Sequence, residues 1–304
     1  MKKDQLGLNV HIPNDPRQIS LSKELGIGWV RVDMNWNGIE PAKGQYHWAD
    51  MDDAIQKLLA AGLTIYATLA YSPGWANGNQ PRTAPPLNGA DFAAFVTQAV
   101  KRYQGKILYW GIWNEPNLPA FYTGSIADYL AKILAPGADA VHAADSAAKV
   151  AGPDLSHSGD VRDATFWYKW MTTILAQHGQ RLDVITHHIY KEPSAWELWR
   201  RLDGFVFPYL EGKNLRNTLS ACGVAGKPLW ITEIGWKSNA GGAGKQASNY
   251  TDFFAGIASR DWISKVFFYE LNDVAGFSEL WGIVDSNFLK KPAYQVIQSQ
   301  LNAP

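Results

Sequence analysis

Two glutamates stand where apolar runs stop. One closes the stretch Trp110-Gly111-Ile112-Trp113-Asn114-Glu115-Pro116-Asn117, the other the stretch Trp230-Ile231-Thr232-Glu233-Ile234-Gly235-Trp236. A carboxylate at the end of an apolar strand is expensive to hold away from water, so it needs a partner or a purpose. For a lone Glu a structural ion pair is explanation enough. Two of them, 118 positions apart, suggest paired carboxyl chemistry instead. Displacement at an acetal carbon with retention needs two carboxyl groups about 5 Å apart, one to protonate the leaving oxygen and one to attack the carbon. Strand alternation places Gly111, Trp113 and Glu115 on one face and Ile231, Glu233 and Gly235 on another, so both acids are expected to aim inward.

The elements that must hold such a pair are legible. Short runs rich in Val, Ile, Leu, Tyr and Trp recur near 6–12, 29–36, 63–71, 107–114, 148–153, 182–190, 228–235 and 264–272, which reads as eight strands. Helical spacing fills the gaps: Met51, Ala54, Ile55, Leu58 and Leu59 in one, Phe92, Phe95, Val96, Ala99 and Tyr103 in another. Asp50 and either Asn88 or Asp91 stand where N-caps belong, with Gly62 and Gly105 where helices should stop. Alternating strands and helices imply a parallel sheet, and eight units closing on themselves give an α/β fold of the (β/α)8 TIM-barrel type, expected as a single domain over 1–304. An open doubly wound sheet is the runner-up, weakened because no Gly-x-Gly-x-x-Gly or phosphate-binding loop follows a strand. Pro73–Gly89, Ser156–Ala164 and Lys237–Gly244 follow strand ends and are candidate walls of a site. The stretch Arg200–Cys222 reads as extra helix between the sixth and seventh strands.

Asn-Glu-Pro at the end of strand four and Thr-Glu-Ile-Gly at the end of strand seven resemble the signature of clan A of the glycoside hydrolases, which carry acid/base and nucleophile on those strands. With His188-Ile189-Tyr190 on strand six, the chain looks closest to family 39, including its single-barrel bacterial members; family 5 is similar too. The resemblance implies Glu115 as acid/base and Glu233 as nucleophile of a retaining β-glycosidase acting on oligo- or polysaccharides. It implies that Asn114 bonds the sugar 2-hydroxyl and that Tyr190 donates to Glu233. Arg31 would lie near Glu233 and lower its pKa, and His188 would orient the cluster. Xylosidase and iduronidase members usually carry a further β-sandwich; the chain ends after its eighth helix near Leu301, which leans toward an open groove and endo action. Transglycosylation on the same residues, or a glycan-binding barrel without turnover, are the alternatives.

Each residue has a plainer reading. Arg31 could pair with Asp33 at the barrel bottom, Tyr190 could be packing, and one of His187 and His188 could merely satisfy a hydrogen bond. Asn9 and His11 could line the site or cap the following turn. The histidines invite a metal reading, but no His-x-His stands on strand one and no His-Glu-x-x-His occurs, so neither metal nor other cofactor is expected. Trp36, Tyr71, Trp75, Trp236, Tyr269 and Trp281 fall at or just beyond strand ends, where ring faces could form sugar subsites beside Trp113. Glu270 and Asp273 are further acids near the mouth.

Composition excludes several partners. Lys plus Arg equals Asp plus Glu at 28 each, which leaves no electrostatic footprint for nucleic acid or an anionic membrane. With 14 Trp and 13 Tyr, flat amphipathic rings suit the faces of a neutral carbohydrate. Cys222 is the sole cysteine, so neither an intrachain disulfide nor a cysteine metal site can form. No apolar stretch long enough to span a bilayer occurs, and Met1-Lys2-Lys3-Asp4 leads straight into a strand without a signal-peptide core. A cytoplasmic monomer, or a secreted or periplasmic one whose export signal has been removed, is expected.

Overall fold

The computed structural model describes residues 1–11, 13–158, 166–193, 197–204 and 213–302. Strands β1 (Leu6–Asn9), β2 (Trp29–Asn35), β3 (Thr64–Ala70), β4 (Tyr109–Ile112), β5 (Lys149–Ser156), β6 (Val184–His188), β7 (Leu229–Ile234) and β8 (Ile263–Phe268) pair in chain order. Leu6 and Gly7 of β1 lie in parallel register with Val266 and Phe267 of β8. The sheet therefore closes into a barrel, and the open-sheet alternative is excluded.

Helices return the chain between strands: α1 (Pro16–Leu25), α2 (Trp36–Ile39), α3 (Ala49–Ala60), α4 (Gly74–Asn77) and α5 (Gly89–Arg102) precede β4. Then α6 (Ile126–Tyr129) runs through a wide turn into α7 (Ala135–Ala144), followed by α8 (Trp167–His178), α9 (Glu197–Leu202), α10 (Leu215–Ala221), α11 (Gly242–Ile257) and α12 (Pro292–Asn302). The extra helix expected within Arg200–Cys222 is α10, with the end of α9; residues 205–212 lie outside the described residues, as do 159–164 of the expected wall Ser156–Ala164. None of the described helices is long and apolar enough to cross a membrane.

Alternation along the strands sorts the core in two. Outward side chains such as Leu8, Val30, Val32, Leu69, Ile112, Val150 and Ile231 pack against the apolar helix faces in the main core. Inward side chains at the N-terminal end of the barrel, Trp29, Tyr66, Ala151, Val184, Trp230 and Phe267, form a separate plug. Gly7 and Gly111 face that plug, and a Cβ at either position would collide with Phe267 or Tyr66. Two residues further along several strands, the inward positions turn polar: Asn9, Arg31, Thr68, Thr186, His188 and Thr232 are all buried.

Local signals mostly match. Asn88, not Asp91, caps α5 by accepting from the Ala90 N–H at 3.0 Å. Asp50 is not a cap; Trp48 holds that position and Asp50 falls in the first turn of α3, where a negative charge suits the helix dipole. Gly62 and Gly105 adopt φ of 78° and 72°, the left-handed region that ends helices cheaply only at glycine.

Candidate active site

The turn after β4 is built by two residues in left-handed backbone, Trp113 (φ 73°) and Glu115 (φ 41°). Such conformations cost non-glycine residues about 1–3 kcal/mol and cluster at functional sites. Their effect here is to break the alternation expected from Gly111 to Glu115. The Trp113 ring turns outward and is fully buried against Tyr71, Phe92 and Tyr122, with its Nε1 donating to the Phe121 carbonyl at 3.0 Å. It therefore cannot stack on a ligand. Glu115 turns back to the mouth, its N–H held by the Asp154 carbonyl at 3.1 Å.

A register break does the same work in β7. The pairing with β8 shifts between Ile231 and Ile234, so Trp230 and Thr232 point inward while Ile231 joins the outer core. The expected inward set of Ile231, Glu233 and Gly235 is thus wrong for Ile231. Glu233, next to Thr232, nonetheless reaches the centre, because the irregularity brings successive residues to the same side.

The two acids meet over the polar layer. One oxygen of Glu115, one nitrogen of His188 and one oxygen of Glu233 all lie within 4.8 Å of one another. Arg31 donates to Glu233 Oε1 at 2.6 Å, to Asn9 Oδ1 at 2.9 Å, to Asn114 Oδ1 at 2.8 Å and to Thr68 Oγ1 at 3.0 Å. Its fork is therefore committed to the mouth, not to a barrel-bottom pair with Asp33. Tyr190 donates to Glu233 Oε2 at 2.5 Å. His188 Nδ1 stands 2.9 Å from Glu115 Oε1 and 3.5 Å from Glu233 Oε2. His187 instead hydrogen-bonds His157, ring nitrogens 2.9 Å apart, so the two neighbouring histidines divide as expected into one at the acids and one away from them.

Burial and charge oppose each other throughout. Burial disfavours the charge on Arg31, but Asp154 and Glu233 hold it well above its ordinary value. Burial likewise opposes the His188 cation, and Glu233, Asp154 and Glu115 overcome it, holding the ring up to about 10. Burial drives His187 down to about 3, helped by the neighbouring His188 charge. Glu233 is pushed up by burial, and by Glu115, against the pull of His188, Arg31 and Tyr190. Arg31 does pull Glu233 down as expected, but burial outweighs it. Glu115, His188 and Glu233 could reach one cation. Such an ion would sit beside a fixed guanidinium already on Glu233, an arrangement that charge repulsion disfavours.

With that geometry established, likeness to known proteins is informative. The family model described as cellulase, glycosyl hydrolase family 5, matches residues 6–269. The chain belongs to that family. Endo-1,4-beta-xylanase A of Fusarium oxysporum f. sp. lycopersici is 26% identical over 121 residues, covering 37% of this chain and 36% of that protein. A family 39 glycoside hydrolase from Bacteroides cellulosilyticus WH2 superposes with a TM-score of 0.70 at 19% identity, over 97% of this chain and 62% of that one. A monomeric beta-xylosidase from Caulobacter crescentus CB15 gives 0.74 at 17% identity, over 99% and 68%. The chain thus spans about a third of the first relative's length within the match and less than two thirds of the first structure's. Clan A membership follows from the family 5 match, and family 39, whose motifs the chain resembles, is present among the structures sharing the fold.

Around the acids, the remaining expected residues scatter. Asn114, with its oxygen taken by Arg31, lines a cavity of about 320 Å³ together with His11, Asp33, Tyr71, Glu115, Glu233 and Tyr269. Trp236 and Trp281 line a second cavity of about 450 Å³, with Tyr190, Lys191, Glu197 and Lys237. Tyr190, Tyr269 and Trp281 pack edge to face between them, ring centroids 4.8–6.1 Å apart. Trp75 lines neither cavity: it packs edge-on to the buried Trp36 and donates its Nε1 to the Glu40 carbonyl. His11 is tied to the site through Glu270, Nε2 to Oε2 2.9 Å.

One residue at the centre escaped the sequence reading. Asp154, 1% exposed, lies under both acids. The strand expected over 148–153 stopped at Pro153, a residue that usually ends pairing, whereas β5 runs on to Ser156 with a register shift. The signal was available: a carboxylate near the end of an apolar run, the argument applied to Glu115 and Glu233.

Proposed function

We propose that this chain cleaves β-O-glycosidic bonds in oligo- or polysaccharides with retention, as one monomeric catalytic domain, with Glu115 as acid/base and Glu233 as nucleophile. The observation that carries the reading is the gap between the two carboxyl groups, within 4.8 Å oxygen to oxygen. Retaining pairs stand about 5–5.5 Å apart and inverting pairs about 6.5–9.5 Å, the larger gap admitting a water.

In the first step the Glu233 carboxylate attacks the anomeric carbon. The bond to the leaving oxygen breaks, and that oxygen takes the proton of Glu115. In the second, Glu115 removes a proton from water, whose oxygen attacks the same carbon and releases Glu233. Arg31 and Tyr190 keep one Glu233 oxygen each occupied by a donor, which favours the ionised, aimed nucleophile. Asn114, its oxygen fixed by Arg31, lines the cavity that both acids share, where its amide would meet a sugar 2-hydroxyl as charge develops.

Action within chains is supported by the two cavities on either side of the Tyr190–Tyr269–Trp281 ridge, which leave room for sugar beyond the cavity that both acids line. The xylanase relative puts xylan first in a panel of β-glycans. Sizing the products at the reducing end reads endo against exo action directly. For the mechanism, Glu233→Ala should lose about 10⁴-fold or more in kcat, with azide restoring turnover to an α-glycosyl azide from a β-substrate. Ordinary activity in that variant would remove Glu233 as nucleophile.

A further inference from the structure

Beneath the acids lies a carboxylate that the proposed chemistry does not use. Asp154 Oδ2 accepts from Tyr66 Oη at 2.6 Å and faces Arg31 Nη2 at 3.4 Å. Its Oδ1 accepts from Thr232 Oγ1 at 2.5 Å and faces His188 Nε2 at 3.5 Å. Its backbone N–H hydrogen-bonds Thr186 Oγ1 at 2.8 Å, and its carbonyl holds the Glu115 N–H at 3.1 Å. The residue adopts a left-handed φ of 49° and lines neither cavity. A single buried side chain and its peptide thus touch residues of β2, β3, β6 and β7 and the turn after β4.

We propose that Asp154 is a positioning residue: it fixes the direction of Arg31 and His188, which in turn aim Glu233 and Glu115. The physical reason is geometric and electrostatic together. Arg31 and His188 each contact a catalytic acid on one side and Asp154 on the other. With an anion behind them, two buried cations remain charged and are held from both ends; without it, each keeps only its catalytic partner and is free to rotate toward it. The groups facing His188 are Arg31 from β2 and Tyr66 from β3 through Asp154, Glu115 after β4, Asp154 itself, His187 beside it, Glu233 from β7 and Tyr190. Of these, Asp154 is the anion that lies away from the substrate side. Burial opposes its ionised form, but Arg31, His188 and Thr232 hold it well below the usual carboxylate range, so its charge is permanent in the working range of pH.

The inference rests on the glycosidase reading for its kinetic consequences but not for its first test. In protein labelled with ¹⁵N-histidine, the His188 signals are assigned by their loss in His188→Asn. Wild-type His188 should stay doubly protonated well above neutral pH, and Asp154→Asn should lower its midpoint by about one pH unit or more. An unmoved midpoint overturns the proposal. The spectrum needs no substrate, so a wild-type chain that cleaves no β-glycan would sink the glycosidase reading while this test still stands. In an active enzyme, Asp154→Asn should lose about 100-fold in kcat, and the alkaline limb of kcat/KM should move to lower pH. KM should stay within about threefold, because Asp154 meets no substrate. A purely structural residue would lower the folded fraction and leave the limb in place, and that result also overturns the proposal. If Asp154→Asn does not fold, Thr232→Val removes one donor while keeping shape and every charge. It should cost about tenfold in kcat at constant KM, and wild-type kcat would count against the role.

Discussion

At the scale of the residue, the contact that places the acid/base is the one between Glu115 Oε1 and His188 Nδ1, 2.9 Å apart. The His188 ring, held up to about 10, keeps its proton there and orients Glu115, while Arg31 and Tyr190 each donate to one oxygen of Glu233. A general acid contributes in proportion to how badly the leaving group needs a proton. Glu115→Ala should therefore lose about 10²–10⁴-fold on natural glycans and much less on aryl glycosides whose phenolate leaves unaided. Equal losses on both classes of substrate, in parallel kcat/KM measurements, would argue against a general acid at this position.

At the scale of the element, both acids depend on strands that stop being regular. The left-handed pair Trp113 and Glu115 and the register break within β7 are where plain alternation fails, and they are where the carboxyl groups turn to face each other. The helices behind them follow simpler rules. Asn88 closes the long loop after β3 and starts α5, whose Phe92 backs the β4 turn through Trp113. Replacing Asn88 with Ala should cost about 1 kcal/mol in denaturant unfolding, and with Gly only a few tenths. The same loss from both substitutions would mean that the Ala90 N–H bond is not what Asn88 contributes.

At the scale of the whole molecule, the barrel is an aromatic plug with a charged layer above it, and two adjacent histidines give that layer opposite responses to pH. His188, held up to about 10, contributes stability that is fully present below its unfolded value near 6.5 and is lost as pH rises through about 10. His187, held down to about 3, contributes stability present above about 6.5 and lost as pH falls toward 3. Asp154, held below the usual carboxylate range, adds a loss on the acid side. Thermal melting followed across pH should show a maximum near neutrality. Replacing His188 with Asn should flatten the alkaline fall specifically; an unchanged alkaline slope would mean that His188 is not the group titrating there.

The sequence by itself determined what periodicity and residue type can encode. Eight apolar runs separated by helical spacing define the barrel because period 2 and period 3.6 are local properties. Glu115 and Glu233 stand out because carboxylates at the ends of apolar strands demand a reason, and Asn114, Arg31, His188 and Tyr190 are marked by the resemblance to clan A. What only the tertiary structure decided depends on broken periodicity and on distance through space. Trp113 left the inner face through a backbone angle that no pattern announces, and Trp75 found Trp36 before it found a cleft. Asp154 lay beyond a proline that sequence logic treats as a stop. Whether two carboxyl groups 118 positions apart approach within 4.8 Å is set by how the strands close into a ring, and closure is a long-range pairing that no local segment contains.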